Sequence, residues 1–191
     1  MSINVDMSGS SDAELIQRLQ ARDPEALAAV YDRYAQLAYS LIIRITRDEG
    51  IAEDLVQELF LRVWNHAREF NSERGALGVW ILSIARYMAI DYKRSAQARF
   101  STRLRPIDNT DHPCFSYKSE AAEFTIDRIR IVKEAFSSLS SDQKRVLELA
   151  YFEGCSQSEI AKRLKEPLGT IKSWMRAGLE RLRMAAKGGV K

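Results

Sequence analysis

Apolar residues recur along this chain at three- and four-residue intervals, and nowhere in sustained alternation, so the pattern predicts helices throughout. Ser11 and Glu14 are spaced as a capping box, and Leu15, Ile16 and Leu19 follow at helical spacing. Asp23-Pro24 reads as an N-cap with proline at the first helical position. The helix it opens carries Leu27, Val30, Tyr31, Tyr34, Leu37, Ala38, Leu41, Ile42 and Ile45. Asp48 can cap a third helix with Ile51, Leu55, Val56, Leu59, Phe60, Val63 and Trp64 on its buried side. Phe70-Asn71-Ser72-Glu73-Arg74-Gly75 has turn chemistry and interrupts the pattern. A fourth helix then runs from about Ala76 to about Gln97 through Leu77, Trp80, Ile81, Ile84, Ala85, Met88 and Ile90. These four helices can close one small core.

From about Ala98 to Ala122 the periodicity fails, among Pro106, Asp108-Asn109, Asp111-His112-Pro113 and Ser116, which reads as an interdomain linker. It returns with Phe124, Ile126, Ile129, Val132 and Phe136, ending near Leu139. Ser140-Ser141-Asp142 caps the next helix, which carries Val146, Leu147, Leu149, Ala150, Tyr151 and Phe152 and is stopped by Gly154. Ser156 with Glu159 is a second capping box, opening a short helix with Ile160, Ala161 and Leu164. Lys165 to Gly169, with Pro167, reads as a turn, and a last helix carries Thr170, Ile171, Trp174, Leu179, Leu182 and Met184. The expected fold is all-α: a four-helix domain over 1–97, a linker over 98–122 and a smaller helical domain over 123–191.

Composition agrees. With 191 residues, 46% hydrophobic and 29% charged, the chain has a globular balance. No apolar run approaches the roughly 18 residues of a membrane span. The N-terminus has neither the basic start nor the apolar core of a signal peptide. Two cysteines, Cys114 and Cys155, make no disulfide framework, and a cytoplasmic protein is expected.

Charge adds more. Residues 1–60 hold 5 basic and 11 acidic groups, a net of −6; residues 61–105 hold 9 and 3, a net of +6. Residues 106–161 hold 6 and 10, a net of −4; residues 162–191 hold 9 and 2, a net of +7. Two separate basic segments suit two contacts with a polyanion, although solvated basic helix faces would give the same alternation.

Residues 156–183 form helix, short turn and basic helix, the helix-turn-helix pattern. Ile160, Ala161, Leu164, Ile171 and Trp174 would lock the two helices together. Lys172, Ser173 and Arg176 then fall on the open side, near the N-terminal half of the second helix, where side chains meet base edges. Arg176 is a candidate for bidentate guanine contact, and Lys172 and Ser173 could reach a base or a phosphate. Thr170, beside free amides at the start of the second helix, is a candidate phosphate contact. Arg181, Arg183 and Lys187 lie farther along and reach backbone or solvent. A basic helical hairpin that binds a protein is the alternative.

Asp54, Gln57 and Glu58 share one helical face. By pattern alone this is a solvated acidic face. A carboxylate metal site would need Glu-x-x-His, and His66 and Glu69 run in the reverse order, so no metal is assigned. His112, Cys114 and Cys155 are too few and too scattered for structural zinc. A Cys114–Cys155 redox disulfide is conceivable, but a small buried Cys155 and an exposed Cys114 are the default.

Asp54-Leu55-Val56-Gln57-Glu58-Leu59-Phe60-Leu61-Arg62-Val63-Trp64 resembles the region 2.2 signature of bacterial sigma factors. Trp80-Ile81-Leu82-Ser83-Ile84-Ala85-Arg86 with Ile90-Asp91-Tyr92-Lys93-Arg94 resembles the promoter-reading helix that follows it, and Gly169-Thr170-Ile171-Lys172-Ser173 resembles the region 4 recognition helix. Order, spacing and length resemble the extracytoplasmic-function (group IV) sigma factors, with domains 2 and 4, over about residues 12–97 and 124–186. The sequence departs from that pattern at Trp174 and Gly178, where two basic residues are usual; Gly178 should also cost the helix about 1 kcal/mol relative to Ala.

The resemblance implies a transcription initiation subunit without chemistry or cofactor of its own. Asp54, Gln57, Glu58 and Leu61 would meet the β′ clamp helices of core RNA polymerase, and the last domain its β flap. Asn71, Ser72, Arg74 and Gly75 would capture a flipped base of the minus-ten element, and Arg86, Lys93 and Arg94 would hold phosphates of that strand. Phe60 could add apolar contact and Trp80 could stack on a base, but both are placed in the core, Trp80 by its spacing with Ile81 and Ile84. Ser156, Thr170, Lys172, Ser173 and Arg176 would read the minus-thirty-five duplex. Promoter DNA and an anti-sigma factor are the other implied partners. The rival reading is a stand-alone helix-turn-helix regulator with a helical dimerisation or sensing domain. No nucleophile–base constellation or phosphate-cradling glycine loop supports an enzyme.

Overall fold

The structure, a computed structural model, describes residues 10–100 and 133–188, and the side chains of 10–96 and 133–186. It is all-α: no strand occurs among the described residues. The chain forms two compact units, residues 1–123 and 124–191.

The first unit contains α1 (Asp12–Gln20), α2 (Pro24–Thr46), α3 (Glu49–His66) and α4 (Leu77–Phe100). The caps form as the sequence predicts. The Ser11 hydroxyl accepts from the Glu14 N–H, and the Glu14 carboxylate accepts from the Ser11 N–H at 2.9 Å. Asp23 caps α2 through the Glu25 N–H, and Asp48 caps α3 through the Ile51 N–H. The α1–α2 corner is a Schellman turn: Asp23 N–H donates to Arg18 O and Arg22 N–H to Leu19 O, with Arg22 left-handed at φ 64°. Arg47 (φ 60°) and Lys165 (φ 57°) end two other helices in the same conformation.

Helix α2 packs against both α3 and α4, and α1 packs on α2. Its buried stripe is Ala26, Val30, Tyr34, Ala38, Ile42 and Ile45, facing Leu55, Leu59, Val63, Leu77, Ile81 and Ala85 from its neighbours. A narrower stripe is buried than the sequence suggests. Leu27, Leu37 and Leu41 are half-buried, and Tyr31 is 44% exposed with its ring 4.7 Å from that of Phe60. Tyr34 is the one deep polar side chain of α2. Its hydroxyl donates to Asp12 at 2.6 Å, Asp12 also accepts from Arg33 at 2.8 Å, and burial pushes the Tyr34 hydroxyl pKa well up. The fourth helix continues to Phe100, past the expected start of the linker.

The second unit contains a helical segment over 133–137, then α5 (Ser141–Phe152), α6 (Gln157–Leu164) and α7 (Leu168–Gly188). Leu139, Val146, Leu147, Leu149, Ile160 and Ile171 form its core, with Phe136, Leu164, Trp174, Met175 and Leu182 packed around it. Gly154, at φ 65°, ends α5 as expected. The final helix starts at Leu168, inside the stretch read as a turn. Tyr151, Leu179 and Met184, expected on buried faces, are exposed. Cys155 is half-buried, short of the buried default. Cys114, His112, most of the proposed linker and the periodic run Phe124–Val132 lie outside the described residues.

Gly178 has a packing role besides its helix propensity. Its fault as a helix former is real, but it is buried, and a Cβ there would stand 2.9 Å from Leu147 Cδ1 and 3.6 Å from Gln143 Cβ. The missing side chain lets α5 approach α7.

Candidate nucleic-acid interface

Loop 70–75 is fixed at both ends and open in the middle. At its start, the Phe70 ring lies 5.4 Å from that of Trp80, tilted by 58°. Trp80 is therefore half-buried against the loop rather than deep in the core. At its end, Gly75 takes φ 152° and ψ 175°, a backbone that side chains rarely adopt, and leads into buried Ala76 and Leu77. Between them Ser72–Arg74 form a single 3-10 turn capped by Asn71, whose Oδ1 accepts from the Glu73 N–H at 2.8 Å. Asn71, Ser72 and Arg74 are all exposed, whereas Gly75 is buried, so the expected approach of a base to its backbone is replaced by a role in turning the chain into α4. The cap engages the oxygen of this exposed side chain, and its NH2 group is the donor that remains for a base edge.

The loop is also held from α1, in a way the sequence did not reveal. Gln20 Nε2 donates to Ala67 O at 3.1 Å and to Phe70 O at 3.4 Å. Arg22 Nη1 donates to Trp64 O at 2.6 Å and Nη2 to Asn65 O at 3.4 Å, while its guanidinium lies 5.2 Å from the Trp64 ring centre. Trp64, expected on the buried side of α3, is half-buried beneath that cation.

Helix α4 carries the next candidates. Arg86 and Lys93 are half-buried and two turns apart, about 10 Å along the axis. Arg94 is exposed. Each of the three has an interaction partner within the fold, so none is a bare cation.

Asp54, Gln57, Glu58 and Leu61 all lie exposed on α3, opposite Leu55, Leu59 and Val63. Phe60 is core, as expected, and Leu61 is 62% exposed beside the acidic groups. Glu58 accepts from Arg62 Nε at 3.0 Å, one turn on, so part of the acidic face is neutralised by its own helix. Among the described residues no three His, Cys, Asp or Glu side chains converge as a metal-holding group.

In the second unit, Lys172, Ser173 and Arg176 are exposed on α7, with Ile171 buried and Trp174 and Met175 packed on the core. The first turn of α7 presents Leu168, Gly169 and Thr170, with open space around Gly169. Ser156 is occupied as a cap: its hydroxyl accepts from the Glu159 N–H, and the Glu159 carboxylate accepts from the Ser156 N–H at 2.6 Å. Arg163 pairs with Glu153 at 2.9 Å, which raises its pKa further and ties α6 to the end of α5. Arg181 donates to Gln143 Oε1 at 3.3 Å, so this cation braces α7 against α5 instead of reaching only backbone or solvent.

The Sigma-70 region 2 family matches residues 30–99, and the Sigma-70, region 4 family matches residues 135–184. The ECF RNA polymerase sigma factor SigK of Mycobacterium tuberculosis (strain ATCC 25618 / H37Rv) is 35% identical over 175 residues, covering 91% of this chain and 93% of SigK. The protein of the same name from Mycobacterium sp. (strain KMS) is 32% identical over 169 residues, covering 88% of this chain and 87% of the relative. The fold is shared with Rhodobacter sphaeroides SigE, solved in complex with the anti-sigma ChrR: TM-score 0.50, 24% identity, 92% of this chain and 97% of that one. No described helix is long and apolar enough to cross a membrane. With both regions matched in order, the chain belongs to the ECF sigma factors of the sigma-70 family.

Proposed function

We propose a division of contacts for this alternative sigma subunit of transcription initiation. The exposed α3 face of Asp54, Gln57, Glu58 and Leu61 docks on the β′ clamp helices of core RNA polymerase, and the second unit reaches the β flap. Opposite charge steers that encounter, and the apolar Leu61 adds contact area. Lys172, Ser173 and Arg176 enter the major groove of the minus-thirty-five duplex, with Ser156 and Thr170 near phosphates. Asn71, Ser72 and Arg74 take an unstacked minus-ten base, and buried Gly75 sets the backbone turn that presents them. Arg86, Lys93 and Arg94 hold phosphates of the same strand. Residues 98–122 link a domain over 1–97 to one over 123–191.

The observation that carries this reading is the loop: exposed polar side chains between two pinned ends, where a splayed base needs edge donors. No bond is made or broken in the DNA by this chain. The open strand binds better than the duplex, so the melting equilibrium shifts by that difference. Rhodobacter SigE is held by an anti-sigma protein, and an inhibitor of that kind would cover the same faces here. Core polymerase and promoter DNA would be met in the cytoplasm.

Reconstituted transcription on a promoter library tests the reading. A specific start should require both core polymerase and this chain. Arg176→Ala should weaken duplex binding and relax sequence choice, while Arg74→Ala should spare duplex binding and impair opening. If both variants open promoters as well as the unaltered chain, the assignments are wrong.

A further inference from the structure

We infer that Gln20 and Arg22, at the end of α1, are positioning residues for the base-capturing loop. The inference rests on the reading of loop 70–75 given above. The C-terminal end of a helix leaves carbonyls without partners, and an irregular segment after it adds more. From the last turn of α3 to the start of the loop, four carbonyls accept from just two side chains: Arg22 holds Trp64 O and Asn65 O within α3, and Gln20 holds Ala67 O and Phe70 O after it. The last of the four belongs to the residue immediately before Asn71. The anchor is remote in sequence, at separations of 42 to 50 residues, so it fixes the loop relative to the α1–α2 corner and not merely to its own helix.

Arg22 bears a cost for this place. It sits at φ 64°, where glycine is the easiest residue and a side chain is strained. A helix stop alone would be served by glycine. The guanidinium found there instead makes two carbonyl bonds and covers the Trp64 ring. Gln20 is half-buried, and its amide bridges the start of the 3-10 segment at Ala67 to the start of the loop at Phe70. A loop ordered before the base arrives does not have to be ordered by it, which favours capture. Neither residue needs to touch DNA.

The test uses holoenzyme assembled with Gln20→Leu or Arg22→Gly, the second chosen because glycine keeps the left-handed backbone. Three quantities are read: melting temperature of the free chain, affinity for core polymerase, and affinity of the holoenzyme for a single-stranded minus-ten oligonucleotide from a promoter it opens. The expected result is about a tenfold loss of oligonucleotide affinity, with core affinity unchanged and melting shifted little. Gln20→Lys, which restores an N–H donor of similar reach, should recover most of the loss. Unchanged oligonucleotide affinity overturns the inference. So does a parallel fall of melting temperature, core affinity and capture, which marks a purely structural role. Arg74→Ala serves as the reference. If it abolishes capture while the Gln20 and Arg22 variants do not, only this inference fails; if it has no effect, the loop reading fails and this inference with it.

Discussion

Single side chains in this molecule often hold two roles, and substitutions must separate them. Asn71 is both a cap and a candidate base contact. Asn71→Ala removes both. Asn71→Asp keeps an oxygen for the Glu73 N–H and loses only the amide donor. Asn71→Asp is expected to melt within about 0.5 kcal/mol of the unaltered chain yet to lose single-strand capture, read by thermal melting and oligonucleotide anisotropy. Asp23 likewise caps α2 and pairs with Arg18 at 2.6 Å, and the Arg18 guanidinium holds its carboxyl below the usual carboxylate range. Because the folded pKa is depressed, the stabilisation is complete above the unfolded value of about 4 and is lost as pH falls through the folded one. Melting temperatures of the unaltered chain and Asp23→Asn, which keeps the cap, should differ by a constant amount above about pH 5 and converge at lower pH.

At the scale of elements, the caps were legible because their partners are three residues apart: Ser11 with Glu14, Ser156 with Glu159. Polarity at i, i+3 and i+4 likewise marked the exposed face of Asp54, Gln57 and Glu58, while apolar Leu61 joined it only through the family resemblance. The contacts of Gln20 and Arg22 were not legible, since backbone carbonyls carry no sequence signal and lie over 40 residues away. Trp80 was ambiguous for a related reason: helical spacing puts it on the core side, but its neighbour Phe70 comes from a loop that periodicity cannot place. The packing role of Gly178 was not legible because propensity describes one helix, while the residue also answers to the approach of another. Gly178→Ala sets a gain of about 1 kcal/mol in helix propensity against displacement of the mobile end of Leu147. It should be close to neutral by chemical denaturation, whereas Gly178→Leu should cost about 2 kcal/mol or more and weaken duplex binding with it.

For the whole molecule, the alternation of acidic and basic stretches becomes a statement about salt. Promoter duplex affinity should fall steeply with salt concentration, and removing one phosphate-contacting cation should flatten the log–log slope by about one. Lys172→Ala is expected to do so. Arg181→Ala is not, because that cation is engaged with Gln143; titrating binding between about 50 and 200 mM salt distinguishes the two. One backbone habit has a practical consequence. Arg47 and Lys165 end their helices at φ 60° and 57°, in a conformation that disfavours any side chain, and neither residue is assigned to a binding face here. Arg47→Gly and Lys165→Gly should each raise stability by about 0.5–1 kcal/mol, some degrees of melting temperature in a unit this small. The combined variant, checked by calorimetry, would be a hardier parent for crystallisation and for carrying damaging substitutions that the natural chain would not survive.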